Sequence, residues 1–531
     1  MCLVILCGCG NREVAQDSTV IETVLNDVPY GTLFGSTEEI IYDVPESLPG
    51  VIVDLNGYEP DAEKNVLFCG NELSEVFFVI DAKTEMEVYA GVMKECGIDS
   101  DSQKTVYCGS FTEVTTPGTY YICTDKIGRS YDFVIDQDLY QQQLRALCCV
   151  LYDMRCGYAL ENCTHPHDAC HTNQSALALE NDSYLDVSGG WHTDGQYNKD
   201  IVTASGIILN LLMAYELNPN AFTDDFGLEY SGNGVPDILD EIAYETNWMQ
   251  RMRDSFGGVS GGVVVDNPTD FVNPEMDQGI AVIEEISTEA TAAYVTAMAR
   301  FGGIYKDFNS DYADQCLYYA EQGYRYLSSI NITDPQSMQP AIWYMVNAEL
   351  FKTTGKQAYH IVINHLISTP ENVFLNEDGE GCMEPINPVF WGNYAYITTN
   401  RYAKVDICTA IMENIMEEAK CVSEESDASP FLVDTSLYTA KDNMRILDEM
   451  QVLTYVNYLI TNKEYRTLIQ EHMHYLMGRN PQSTNYMTEC GIMTSVSDTD
   501  YYCIGYQNEL YYNSVLILVL SNINNEYEIQ N

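Results

Sequence analysis

The chain is poor in basic residues. Its 531 positions hold 25 Lys and Arg against 79 Asp and Glu, a formal charge of −54. Nucleic acid and anionic membranes both recruit basic patches, so this balance argues against either as a partner. Long apolar runs are also missing: none approaches the roughly 18 residues of a membrane-crossing helix. Cysteine is sparse, 18 in 531, which excludes a small disulfide scaffold. Cys148, Cys149, Cys316 and Cys408 fall in apolar helical runs and read as small buried hydrophobes, with a few disulfides as the alternative. What is abundant is apolar surface: 46% hydrophobic residues, with 40 Tyr and 16 Phe. That excludes disorder for most of the chain and supplies a large core. The length predicts three or four units, or one large domain and a smaller one.

The N-terminal MCLVILCGCG looks like the tail of a bacterial lipoprotein signal, with Cys9 as the lipidated residue. The basic region and most of the apolar region of such a signal are missing, so a chance match is the alternative. Residues 10–49, polar and acidic with scattered Pro and Gly, read as a tether. These segments predict an extracellular or cell-surface chain, lipid-anchored to the outer face of a bacterial membrane and monomeric.

Residues 50–136 carry short β-rich runs (NVLFCG, EVFFVI, TVYCGSF, GTYYICT) split by Gly, Asn, Asp and Pro. Their spacing predicts a small β-sandwich. From 137 the apolar period becomes three and four, and about eleven helices are expected over 137–531, joined by long Gly-, Asn- and Asp-rich loops. No short repeat of fixed period is present.

Several motifs then fall in order. VDLNGYEPDAEK keeps Gly57, Tyr58, Pro60 and Lys64 of an opening pattern, and RCGYAL (155–160), HPHDACH (165–171), DVSGGWHTDGQYNKDIV (186–202), GNGVPDILDE (232–241), STEATAAYVTAMAR (287–300) and HYLMGRNP (474–481) follow. Together they resemble glycoside hydrolase family 9, the cellulase-type endoglucanases, in its subgroup with an N-terminal immunoglobulin-like domain. The resemblance implies a mainly α fold, an (α/α)6 barrel with an open cleft, preceded by the small β-sandwich. The implied ligand is β-1,4-glucan, and the implied reaction is inverting endo-hydrolysis.

Inversion needs two carboxyls about 6.5–9.5 Å apart, one to protonate the leaving oxygen and one to activate water. The family's base is the second Asp of a D-A-G-D stretch, and the first Asp helps to hold the water. The frame set by Gly190, Trp191, Gly195, Tyr197 and Lys199 places Thr193 and Gln196 on those two positions, and an Asp stands instead at 194. For the acid, an ungapped frame on Asn513 gives Gln507, and a two-residue deletion gives Glu509. The His- and Arg-bearing stretch that follows GRNP in the family, ahead of the acid, is replaced by TECGIMTSVSDTDYYCIG. An amide neither gains nor loses a proton near neutral pH, so these substitutions remove the expected chemistry. Two readings compete: a working hydrolase with displaced carboxylates Asp194 and Glu509, or a glucan-binding descendant that is weakly active or inactive. The substitutions favour the second; a surface adhesion or scaffold protein is a further alternative.

The resemblance also implies structural zinc at Cys156, Cys170 and His171, with His165, His167, His192 and Cys163 as candidates for the fourth ligand. Thiolate and imidazole suit that ion. Asp237, Asp240 and Glu241 resemble an element that helps to bind calcium, with helix capping as the alternative. Trp191, Trp391, Tyr506 and Arg479 are the expected glucan contacts, Trp391 on a loop and Arg479 holding the loop above the cleft. Ser287 or Thr288 reads as a helix cap, and Asn347 and Glu349 as members of a buried network.

Overall fold

The computed structural model describes residues 50–99, 102–161, 166–172, 175–178, 183–269, 273–333, 339–367, 383–433, 442–488, 491–492 and 509–523. The signal-like segment, the tether, Tyr506 and Gln507 lie outside these residues. No described helix is long and apolar enough to cross a membrane.

The first eight strands are β1 (Val51–Ile52), β2 (Asn65–Cys69), β3 (Val76–Asp81), β4 (Met86–Ile98), β5 (Thr105–Ser110), β6 (Gly118–Thr124), β7 (Gly128–Arg129) and β8 (Phe133–Ile135). They pair antiparallel in the order β1-β2-β5-β4-β3-β6-β7, with β8 also on β6. The first half of β4 pairs with β3, and its second half pairs with β5 from Met93 on, with a register shift between Glu95 and Gly97. One bent strand therefore belongs to both layers of the sandwich. Tyr58, Phe68, Phe77, Phe111, Ile122 and Phe133 fill the space between. A Cβ at Gly91 or Gly109 would come within 2.3 or 2.5 Å of the Phe77 ring, so that ring requires glycine on both β4 and β5. Cys96 and Cys108 form a disulfide, and nine other described cysteines are free.

Twelve α-helices follow among the described residues: α1 (Leu139–Asp153), α2 (Ile201–Leu217), α3 (Asp237–Met249), α4 (Thr288–Ile304), α5 (Ser310–Thr333), α6 (Pro340–Thr354), α7 (Gln357–Leu366), α8 (Pro388–Ile397), α9 (Val405–Ala428), α10 (Asp442–Leu459), α11 (Lys463–Leu476) and α12 (Glu509–Asn522). The even-numbered helices form a ring. α12 packs on α2, α2 on α4, α4 on α6, α6 on α8 and α10 on α12. Tyr455 of α10 meets Phe390 and Tyr394 of α8 at 5.6 and 5.2 Å and closes it. The odd-numbered helices lie outside.

Sequence dictates this sorting. α2 (IVTASGIILNLLMAYEL) is buried almost all round, as an inner helix must be. α9 buries Ile407, Ile411, Ile415, Ala419, Val422, Ser423 and Ser426, one stripe at helical spacing, and turns most of its glutamates outward. Asp200, Ser287 and Asn387 cap α2, α4 and α8 by accepting backbone N–H bonds at 2.6–3.1 Å. α8 corrects the expectation of a loop around Trp391: Asn387-Pro388 is a cap followed by a first-turn proline.

The first turns of the ring helices gather at one end, where a Cβ on Gly206 of α2 would touch Tyr511 of α12 and Ile386 just before α8. Their last turns gather at the other. There the buried Arg300, Glu349 and Tyr394 and the partly buried Lys352 and Glu216 form a charged network, with Arg300 to Glu349 at 2.5 Å and Lys352 to Glu216 at 2.8 Å. Asn347 joins Tyr324 nearby at 3.0 Å.

Candidate functional site

The corner of the barrel mouth between α1 and α2 is assembled by two short pairings. Residues 154–156 run antiparallel to 190–192, with Cys156 N–H donating to the Gly190 carbonyl at 2.7 Å and His192 N–H to Met154 at 2.8 Å. Leu160 pairs with His167 and turns the chain back, so that Cys170 and His171 return beside Cys156. The ligand atoms of Cys156, Cys170, His171 and His192 all lie within 4.8 Å of one another. His192, one of several sequence candidates for the fourth position, is the one brought in. Cys163 and His165 lie outside the described residues, and the His167 ring faces the Asp168 carbonyl.

Outer partners orient both rings. His192 Nδ1 lies 3.1 Å from the Tyr197 carbonyl, and His171 Nε2 lies 3.3 Å from the Asp277 carboxylate. Those acceptors call for N–H on the outer nitrogens and leave His192 Nε2 and His171 Nδ1 facing the thiols, at 3.5 Å from Cys170 and 3.8 Å from Cys156. The hydrogen bond with Cys170 holds the Cys156 thiol well below its ordinary pKa against the effect of burial, and Lys199 and His192 reinforce it. The same bond raises Cys170. Lys199, itself buried, donates to Cys156 Sγ at 3.5 Å and to the Gly189 carbonyl at 3.1 Å. Two thiols and two imidazoles at tetrahedral reach, one of the thiols acidified, are a donor set that suits zinc.

Loop 193–200 leaves this cluster and enters α2. Thr193 is buried; its N–H and hydroxyl both donate to the Asn198 carbonyl, at 2.8 and 3.1 Å, and its hydroxyl accepts from Asp200 N–H. Asp194 Oδ1 accepts from the backbone N–H of Gln196 (2.9 Å) and Asn198 (3.1 Å), and its Oδ2 accepts from Asn198 Nδ2 (2.8 Å). Both Asp194 oxygens thus hold the turn. Gln196 is exposed at its tip. Asp200 is spent on capping α2, and burial pushes its carboxyl up. At the other expected position, Glu509 is the first residue of α12; its side chain lies outside the described atoms.

Three expected glucan contacts are buried instead. Trp191 donates its backbone N–H to Glu245 at 2.6 Å and its indole N–H to Glu241 at 3.4 Å. Trp391 lies beneath the Arg300 guanidinium, 4.9 Å from its ring centre. Arg479 is fully buried and paired with Glu471 at 2.5 Å. None offers a face to a ligand in this structure, because each large side chain is the filling of a junction between elements. The calcium triad also separates. Glu241 turns inward to Arg155 at 2.5 Å, Asp237 accepts from Phe226 N–H and Ser231, and Asp240 accepts from Asn233. Burial pushes Asp240 up to about 6, against the bond from Asn233, and Asp237 adds repulsion. Among the described residues these three carboxylates do not converge on one ion position.

The mouth also holds two acids that sequence reading passed over. Asp448 on α10 and Glu384 just before α8 are both exposed, although most of their immediate chain neighbours are buried or partly so. In a chain of 79 acidic residues, neither has a local motif to mark it.

Comparison with known proteins agrees with this architecture. The model described as glycosyl hydrolase family 9 matches residues 140–497, and that of the cellulase N-terminal ig-like domain matches 46–129. Endoglucanase D of Acetivibrio thermocellus is 25% identical over 475 residues, covering 84% of this chain and 73% of that protein. A metagenome-derived family 9 endoglucanase superposes with a TM-score of 0.77 at 24% identity, over 89% of this chain and 98% of its own. A Zn-binding triple mutant of the family 9 endoglucanase J30 gives 0.77 at 22% identity, over 88% and 100%. By the reach of the family match, its small domain and its ring of helices, this chain belongs to glycosyl hydrolase family 9.

Proposed function

We propose that this protein binds β-1,4-glucan in the barrel mouth and that its hydrolysis by the family's own inverting route is weak or absent. The observation that carries this reading is loop 193–200. By the sequence frame on Gly190, Trp191 and Gly195, Thr193 and Gln196 fall where the family has its two aspartates, and the two acids left in the loop, Asp194 and Asp200, are committed to backbone N–H groups. A carboxylate that already accepts three hydrogen bonds is a poor base for water. The glucan assignment follows from family membership and from the endoglucanases similar to the chain. A working hydrolase that uses Asp194 would have to break the turn that Asp194 makes.

Within the same reading, Cys156, Cys170, His171 and His192 hold a zinc ion. When bound it supplies cross-linking between the α1 end and the loop rather than substrate chemistry, since four protein ligands leave no open position. Lys199, Asp277 and the Tyr197 carbonyl orient the ligands. The lipid anchor, the surface location and the monomeric state remain part of the proposal on the sequence signals alone.

The deciding experiment measures reducing sugar released from carboxymethylcellulose and barley β-glucan by the native chain and by a Gln196→Asp, Gln507→Glu double variant, with calorimetric binding of cellohexaose by both. Expected are binding by both proteins and a gain in turnover of about 10²–10⁴-fold in the variant. Native turnover abolished by Asp194→Asn would overturn the reading in favour of displaced carboxylates, and absence of glucan binding would favour an adhesion or scaffold protein.

A further inference from the structure

The seam between the sandwich and the barrel holds a cavity of about 580 Å³. It lies at the starts of the outer helices α1 and α11, the opposite end of α1 from the terminus that forms the mouth corner. One wall is a single face of α11, where Lys463, Arg466, Thr467 and Gln470 recur at spacings of three and four. The other wall is the loop before β2, with Glu59 and Asp61, and Asp138 at the start of α1. The second wall is preformed. The Lys64 ammonium donates to the carbonyls of Glu59 (3.3 Å), Pro60 (2.6 Å) and Ala62 (2.9 Å), and Glu59 accepts from Tyr140 N–H at 3.1 Å. Glu63 ties the two walls together: its carboxylate meets Lys463 at 2.9 Å and its N–H donates to Gln470 Oε1 at 3.3 Å.

That bond spends only the oxygen of Gln470. The side chain is 4% exposed, yet its NH2 has no partner among the described residues. The half-buried Arg466 guanidinium has no described partner either. On the facing wall, the Asp138 carboxylate does not cap α1. Buried amides ordinarily satisfy both of their ends, so a buried amide with idle donors at a cavity marks a place for an acceptor.

We propose that this cavity binds a short neutral saccharide, whose hydroxyls accept from Arg466 and Gln470 and donate to Asp138 and Asp61. The lining decides the class of ligand. Pro60 is its only apolar residue, so an apolar molecule would gain little there. Acids outnumber bases by two in the lining, within a chain of charge −54, and this opposes an anion. A small cation would meet Arg466 and Lys463, and the acids of the lining do not converge on one ion position. A hydroxyl both donates and accepts, so a sugar uses a donor wall and an acceptor wall at once, through hydrogen bonds assisted by charge on each side. Binding here does not depend on what the mouth takes.

The test uses the full chain. Cellobiose is titrated calorimetrically into the native protein, Arg466→Ala and Thr467→Trp, with cellohexaose as the probe of the mouth and thermal melting as the check on folding. Arg466 has no described partner to strand, so its truncation should leave the fold intact; Thr467→Trp blocks the cavity without removing a charge. Expected is native binding of cellobiose that weakens about tenfold or more in Arg466→Ala, as the loss of a charge-assisted hydrogen bond does, while cellohexaose affinity stays within about threefold. Thr467→Trp should abolish the event that Arg466→Ala weakens. Cellobiose affinity unchanged in both variants, or native binding of cellohexaose without any of cellobiose, overturns the junction site and leaves the mouth reading intact. Cellohexaose binding lost together with that of cellobiose in the variants keeps the junction site and overturns glucan binding in the mouth. Gluconate and glucosamine, charged counterparts of glucose, should bind less tightly than glucose; tighter binding of either overturns the neutral class.

Discussion

The two sides of the barrel mouth are built on opposite principles. At the α1–α2 corner, Thr193, Asp194, Asn198 and Asp200 bond to one another, and His171, His192 and Lys199 have oriented partners. At the α8–α10–α12 side, Asp448 and Glu384 are open to solvent. The first arrangement preserves shape, because a side chain whose hydrogen-bonding capacity is already used cannot be re-aimed without leaving buried groups unpaired. The second leaves its carboxylates to solvent, where their direction is not fixed by the fold. Family motifs survive at the corner for the geometry they impose, whether or not their proton chemistry does.

The corner can be broken outright. Cys170→Ser, or removal of metal by a chelator, should produce the largest loss of stability, since the proposed zinc would pin α1 to α2 and structural zinc contributes about 10–16 kcal/mol in zinc-finger peptides. Calorimetric melting of treated and untreated protein measures it, and identical curves would mean that the corner is held without metal. Next comes the far end of the barrel. Glu349→Gln leaves the fully buried Arg300 without its carboxylate and should cost about 3–5 kcal/mol in denaturant unfolding.

A third test probes the corner's exception. Glu245 is fully buried, accepts from Trp191 N–H on one oxygen and has no partner for the other. Burial, against that hydrogen bond, pushes its carboxyl up to about 8, well above the roughly 4.3 of an unfolded chain. A raised carboxyl binds its proton more tightly in the folded state, so its contribution to stability is full below about pH 4 and is lost as pH rises through about 8. Glu245→Gln should flatten the stability profile across that window, and a profile with the native slope would rule Glu245 out as its source. The smallest effect belongs to the rim of the domain junction. Lys463, largely exposed, pairs with Glu63 at 2.9 Å, and Lys463→Ala should change stability by less than about 1 kcal/mol.

Much of this architecture was legible in the sequence because it is local. The change of apolar period near residue 137 separates sandwich from barrel, and the Ser287 cap is present in the structure, with Ala290 N–H bonded to it at 2.9 Å. The buried network expected at Asn347 and Glu349 is present as well. Trp391 was misplaced because PVFWGNYAY is short and apolar, and the cap that starts its helix sits just before it. Trp191 and Arg479 illustrate a different limit: side chains that suit a sugar also suit an ion-paired junction, and only burial distinguishes the two uses. His192 could not be singled out by spacing, because the backbone pairing of 154–156 with 190–192 brings it to Cys170. Asp448 and Glu384 are 64 residues apart, and only the ring brings them to the same end of the barrel.

The junction between the sandwich and the barrel has a consequence for how the chain is divided. Both ring nitrogens of the buried His474 on α11 meet acceptors of the small domain, Asp54 at 2.8 Å and the Glu63 carbonyl at 3.1 Å. Leu55 N–H donates to the Met477 carbonyl at 2.8 Å, and Asn65 donates to Glu471, the carboxylate that also holds Arg479. A barrel cut free at residue 137 would therefore expose an imidazole, a carboxylate and a guanidinium that were set up for a dry environment. The sandwich is better regarded as a stretch of the barrel's outer wall than as a passenger in front of it, and the natural unit of expression and crystallisation runs through both.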